Sequence, residues 1–195
     1  MGNQFQEVSL LSKRKIIATT TVTALFGALI AAGVFITIPL PFNPVPIVLQ
    51  NLFALLSGLT LGPIFGGAAV ALYLIAGALG APIFAGASGG FVHFFSPTGG
   101  YLLGYLLCAV IAGLLAGQPQ INRRTPRWRL ALGSVIGLLS VYLPGIWRLK
   151  TFLDISWAAA IATGFLPFAI GDAVKAMVAV AICPRLRRLA AELLI

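Results

Sequence analysis

The segment Leu166–Ile182, LPFAIGDAVKAMVAVAI, carries a carboxylate and an ammonium inside a run otherwise apolar enough to cross a membrane. Asp172 and Lys175 are three residues apart, so on a helix they share a face and reach each other or a common guest. An ionisable side chain at membrane depth costs about 2.5–3.5 kcal/mol on insertion scales; it therefore faces a bundle interior or a polar cavity and marks function. Two readings stand open: a binding site, or an ion pair that only neutralises itself between helices.

Working outward, 59% of the 195 residues are hydrophobic and 9% are charged, more apolar than a soluble domain of this length can bury. The expectation is an all-α polytopic membrane protein forming a single integral membrane domain over 1–195. The net charge of +9 argues for no nucleic-acid partner, because the basic residues sit in short clusters between apolar runs with no aromatic-plus-basic face. They read as topology signals. Cys108 and Cys183 lie in apolar runs at a spacing that suits neither a metal nor a disulfide, so both are packing residues. Lys13-Arg14-Lys15 before an apolar run imitates a secretory signal, but the run to Ile38 is long for one and leads to no cleavage site. It is taken as a retained first helix.

Cutting the apolar runs at Pro/Gly and charge clusters predicts six transmembrane helices: Ile16–Ile36, Ile47–Leu61, Ile64–Leu79, Tyr101–Ala116, Leu130–Trp147 and Leu166–Ile182. The second and third are short and separated only by Gly62-Pro63, so they read equally as one helical hairpin. Placing both termini inside (N-in, C-in) puts ten of the thirteen Lys and Arg in the cytoplasm, with residues 118–129 as an inside linker. Arg148 and Lys150 then fall outside, and Lys175 in the membrane. Trp128, Trp147 and Trp157 lie near span ends, where interfacial anchors belong.

Two neutral outside loops are predicted to be ordered. Residues 39–46, PLPFNPVP, hold four prolines and read as a stiff polyproline-II wall. Ala81–Gly100 is glycine-rich, aromatic and nearly uncharged, which suits a re-entrant flap lining a cavity, or else a plug with no ligand. Phe84, Phe91, Phe94 and Phe95 would cover an apolar guest. Between the fifth and sixth spans, Trp157–Thr163 reads as a short interfacial segment. Asp172 and Lys175 then lie about 9 and 13 Å below the outer end of the last helix.

No G-x-x-x-x-G-K-[ST] motif is present, so energy for uphill transport comes from another subunit or a gradient. Gly86-Ala87-Ser88-Gly89 with His93 resembles a rhomboid-like intramembrane serine protease centred on Ser88. That chemistry needs its base from a different helix, and no later histidine exists. Ala169-Ile170-Gly171-Asp172 nearly spells a presenilin-type site but lacks a second intramembrane aspartate to share acid and base roles. Ala24, Ala28 and Ala32, with Gly27 beside them, make a small-residue stripe that admits a close helix, whether internal or from a separate subunit.

Four stretches in order carry a resemblance: Asn43-Pro44-Val45-Pro46-Ile47-Val48-Leu49-Gln50; Leu72-Tyr73-Leu74 through Gly80-Ala81-Pro82-Ile83-Phe84-Ala85-Gly86; Ser96-Pro97-Thr98-Gly99-Gly100-Tyr101; and Gly171-Asp172 with Lys175. Together they resemble the BioY family, the biotin-specific substrate-capture (S) components of energy-coupling factor vitamin transporters. The resemblance implies six helices, cytoplasmic termini, and outer loops after helices one and three that close over the vitamin. It implies a multi-pass binding protein of the inner (cytoplasmic) membrane and not an enzyme, with no cofactor and with biotin as transported substrate. Its partners would be a transmembrane coupling subunit, ATPase subunits and membrane lipid. Asp172 and Lys175 would contact the ligand, with Gln50, Tyr73, Phe84 and Phe91 around it. Ser88 stands where some relatives place a polar amide. Ala24, Ala28 and Ala32 would dock the coupling subunit. An S component for another vitamin is the alternative.

Biotin's chemistry suits the pair. Asp172 accepts from a ureido N–H while Lys175 donates to the ureido oxygen, each bond to a charged group contributing about 1.5–3 kcal/mol. Lys175 pairing the valerate carboxylate is the other possible assignment.

Overall fold

The computed structural model describes residues 2–41 and 43–194. Where no water reaches the backbone, a chain satisfies its N–H and C=O groups by helix formation, and this one is mostly helical. The helices are α1 (Gly2–Ala32), α2 (Gln50–Ala78), α3 (Gly99–Ala116), α4 (Arg127–Leu153), α5 (Trp157–Gly164) and α6 (Leu166–Leu194). Two short strands, β1 (Thr37–Ile38) and β2 (Ile47–Val48), pair antiparallel between α1 and α2, and a 3-10 turn, Phe91–Phe95, precedes α3.

Five of these helices are long and apolar enough to cross a membrane, against the six predicted. The predicted second and third spans fall in one element, α2, broken at Gly62, whose φ of 83° and ψ of −179° only glycine adopts readily. The two arms of α2 fold back on each other there. Ser57 Oγ donates to Gly66 O at 3.2 Å, and Gln50 Nε2 donates to Tyr73 Oη at 2.9 Å, so residues 23 apart in sequence meet.

Pro63 supplies no N–H, which deprives Leu59 O of its helical partner. Arg187, 5% exposed, donates to that carbonyl through Nη1. Its Nη2 donates to Gly117 O and Gln118 O, each at 3.0 Å, and to Ala116 O at 3.3 Å, capping the end of α3. Sequence reading counted Arg187 only as a cytoplasmic charge; the structure buries it as a clasp on three chain segments.

The bundle centres on α2, α3 and α4, drawn together by glycines. A Cβ on Gly58 would run into Ala109 O, and one on Gly104 would lie 2.6 Å from Val141 O. Cys108 and Cys183 are buried free thiols within this core. One end of the bundle gathers β1, β2, the 80–98 loop and α5, and the opposite end holds Gly62, the 117–126 linker and the end of α6.

The 39–46 loop is not the extended polyproline wall expected. It closes a hairpin, with Thr37 opposite Val48, because Asn43 Oδ1 accepts from Val45 N at 2.9 Å and Asn43 N donates to Leu40 O at 3.2 Å. Asn43 Nδ2 then ties the hairpin to α5 at Thr163 O, 2.8 Å away. Phe42 lies outside the described residues.

Unpaired backbone groups set the expected cost of losing the clasp. Arg187→Met leaves Leu59 O and the α3 terminus without donors, at about 1–3 kcal/mol for each stranded group. We expect a clearly lower thermal midpoint in detergent for Arg187→Met and little change for Arg188→Met, whose side chain is 78% exposed.

Candidate functional site

At the loop-bearing end, α6 turns Asp172 and Lys175 inward beneath the hairpin, 6% and 7% exposed. Lys175 Nζ donates to Asp172 Oδ1 at 3.1 Å, as their spacing on one helical face requires. It also donates to Val48 O at 3.0 Å and Asn51 Oδ1 at 2.8 Å. Asp172 Oδ1 accepts from Asn51 Nδ2 at 2.9 Å, and Asp172 Oδ2 accepts from the Tyr142 hydroxyl. The charges are therefore bonded to helices α2 and α4 as well as to each other.

A cavity of about 40 Å³ opens against this network. Val45, Pro46 and Val48 from the hairpin, Ala85 and Thr98 from the second loop, and Gln50, Asn51, Tyr101, Tyr105, Tyr142, Phe168 and Lys175 contribute to its lining.

Of the residues singled out in the sequence, Lys175 and Gln50 line this cavity, and Asp172 stands behind it, bonded to the lining residues Lys175, Asn51 and Tyr142. Gln50 is pinned, its Nε2 donating to Tyr73 Oη and, at 2.8 Å, to Ile83 O. Tyr73 and Phe84 stand behind the lining, 2% and 1% exposed, with rings 5.6 Å apart edge to face. Phe84 thereby plugs the second loop into the core. Phe91 is 65% exposed on the 3-10 turn, against Phe94 and Phe95. Ser88 closes a tight turn with Phe84, and its Oγ donates to Ala85 O at 2.7 Å. His93 meets the Phe84 ring edge-on, and among the described residues no hydrogen bond joins it to Ser88, so no serine–histidine couple forms. Ala24, Ala28 and Ala32 are exposed along α1, while Gly27 and Phe26 face α2.

Asn51 and Tyr142 were not anticipated. The signal for Asn51 was present as an amide within an apolar run, where a polar group is costly unless bonded. Tyr142 carries no such signal, since tyrosine is common in cores.

The second loop is held from α4. Arg148 donates to Phe95 O through Nη2 and to Ser96 O at 3.3 Å through Nε, with its guanidinium over the Phe152 ring. Ser96 Oγ lies 3.0 Å from Thr98 Oγ1, so the arginine steadies the segment that delivers Thr98 to the cavity. Arg148→Ala is expected to speed amide hydrogen exchange over residues 91–99 and to leave α2 unchanged; equal protection in both proteins would refute the anchoring role.

Comparison with known proteins agrees with this architecture. The BioY family model matches residues 5–192. The chain is 43% identical over 169 residues to the biotin transporter BioY of Thermotoga maritima, covering 86% of this chain and 95% of that one. It is 41% identical over 167 residues to a probable biotin transporter BioY of Pyrococcus horikoshii, covering 86% and 94%. Among solved structures it resembles the S-component for biotin from an ECF-type ABC transporter, with a TM-score of 0.77 and 29% identity over 88% of this chain and 92% of that one. With its paired Asp172 and Lys175 under two loops and a family match over nearly its whole length, the chain belongs to the BioY family.

Proposed function

We propose that this protein captures biotin at the outer face of the cytoplasmic membrane as the substrate-specific component of an energy-coupling factor transporter. The observation that carries the reading is the buried Asp172–Lys175 pair at a loop-covered cavity, in a chain whose relatives are named biotin transporters. The pair offers an acceptor and a donor side by side, which matches the N–H and C=O of a ureido ring. Val45, Pro46, Tyr101 and Phe168 add apolar surface for the fused sulfur ring. The carboxylate tail then points toward the loops.

The fold-back of α2 at Gly62 supports six crossings, with both termini at the end opposite the loops. That end carries Arg123, Arg124, Arg127, Arg129, Arg185, Arg187 and Arg188, and the loop end carries Arg148 and Lys150. By the positive-inside rule the termini are cytoplasmic. The chain has no P-loop motif, so ATP hydrolysis belongs to partner subunits, reached through a transmembrane coupling subunit. The exposed Ala24, Ala28 and Ala32 stripe fits the close approach of that subunit, because α1 packs on its own bundle with a different face.

Titration of the purified protein with a panel of vitamins tests the substrate. Submicromolar binding of biotin and none of riboflavin or thiamin is expected; another vitamin binding in its place would reassign the component. Asp172→Asn and Lys175→Ala should each weaken biotin binding at least about tenfold, or ~1.4 kcal/mol. Unchanged affinity in both would remove the pair from the site. Ala28→Trp should abolish co-purification with the coupling subunit while biotin still binds, and undiminished co-purification would place the interface elsewhere.

A further inference from the structure

Lys175 has no donor to spare. An ammonium carries three N–H groups and accepts nothing. Here they go to Val48 O at 3.0 Å, Asn51 Oδ1 at 2.8 Å and Asp172 Oδ1 at 3.1 Å. A ligand oxygen reaches Lys175 only by taking the place of one of these acceptors. Val48 O is backbone in a paired strand, and Asp172 is fixed one turn away on the same helix. Asn51 is the partner that leaves by side-chain rotation alone.

The Asn51 amide makes two bonds at once. Its N–H donates to Asp172 Oδ1 at 2.9 Å while its C=O accepts from Lys175. The orientation is forced, because a flipped amide would aim its NH₂ at the ammonium and its oxygen at the carboxylate. One carbon thus presents an N–H and a C=O along a single edge to the charged pair. A cyclic urea presents the same edge.

We propose that the Asn51 carboxamide is an internal stand-in for the ureido group, closing the charged pair until a guest bearing an N–H and a C=O on one carbon displaces it. The proposal rests on the reading of Asp172 and Lys175 as the ureido site. It gives the site a chemical selection rule. A guest with acceptors alone satisfies Lys175 and leaves Asp172 without the amide donor, held by Lys175 and Tyr142 only, whereas a urea or lactam edge replaces both bonds together. Burying an ion without a partner is costly, so the exchange keeps each charge bonded throughout. The cost of binding is the removal of Asn51, and it is a cost that mutation can delete.

The sign of the mutational effect decides the matter. The full chain in detergent, as wild type and as Asn51→Ala, is unfolded thermally with and without saturating biotin and titrated with biotin. A stand-in stabilises only the form it closes, so Asn51→Ala should lower the thermal midpoint without biotin and leave the biotin-bound midpoint near that of wild type. Affinity should rise by about threefold or more, since the competing internal partner is gone. The bare cyclic urea 2-imidazolidinone should compete with biotin at lower concentration in Asn51→Ala than in wild type. Weaker biotin binding in Asn51→Ala would make Asn51 a direct ligand contact and overturn the proposal. Equal loss of both midpoints with unchanged affinity would make it structural and also overturn it. Asn51→Ser, too short to bridge both charges, repeats the test should the alanine variant fail to fold. Failure confined to Asn51 leaves the site reading intact; full biotin affinity in Asp172→Asn and Lys175→Ala removes both.

Discussion

Backbone carbonyls that cannot reach water are the constraint on which this bundle depends, and two cations on α6 answer it. Lys175 donates to Val48 O, where the chain passes from β2 into α2, and Arg187 donates to Leu59 O, freed by Pro63. The cations are twelve residues apart on one helix, and their acceptors are eleven apart along the first arm of α2. At 1.5 Å per residue both intervals are about 16–18 Å, so α6 lies beside that arm, in the same direction, fastened at each end. The helix that carries the Asp172–Lys175 pair also holds the Gly62 break of α2 and the end of α3. A long cationic side chain with several donors suits each position, since an apolar residue would leave the carbonyls unbonded.

What the sequence discloses follows from how costly each feature is. Asp172 and Lys175 are legible because a charge at membrane depth demands an explanation, and their three-residue spacing fixes their relation. Gly62-Pro63 is legible as a reversal for a similar reason: proline removes an N–H and glycine permits the turn. Arg187 is hidden, because among Arg185, Arg187 and Arg188 nothing separates a buried clasp from charges that mark the cytoplasmic side. Asn51 signals only that an amide in an apolar run needs a bond; beside Gln50 at a helix start, where amides usually satisfy backbone groups, its partners are not legible. In the hairpin, four prolines outweighed Asn43, yet its side chain bonds the backbone two residues on and turns the chain. The span count turns on the Gly62-Pro63 pair, since α2 is one helical element by length and two arms by its break at Gly62.

The hairpin and the 80–98 loop are anchored by different means. The second is fixed to the bundle by Phe84 in the core, by Gly90 N on Gly77 O at 2.7 Å, and by Arg148 on Phe95 and Ser96. None of these contacts involves the charged pair. The hairpin is held at its tip by Asn43 on Thr163, and its second strand runs directly into Val48 and Asn51, which supply two of the three acceptors of Lys175.

The hairpin is the loop whose position is tied to the chemistry beneath it, because β2 presents Val48 O to Lys175 and leads into the first turn of α2, which carries Asn51. With Val48 O held in the paired strand and Asp172 one turn away on α6, the Asn51 side chain is the one acceptor of Lys175 free to exchange. An acceptor that takes the place of the Asn51 carbonyl keeps the buried ammonium fully bonded, and loss of that carbonyl without replacement leaves the ammonium one bond short. The position of the hairpin and the bonding of the charged pair are therefore coupled through one lysine, whose three donors meet three acceptors.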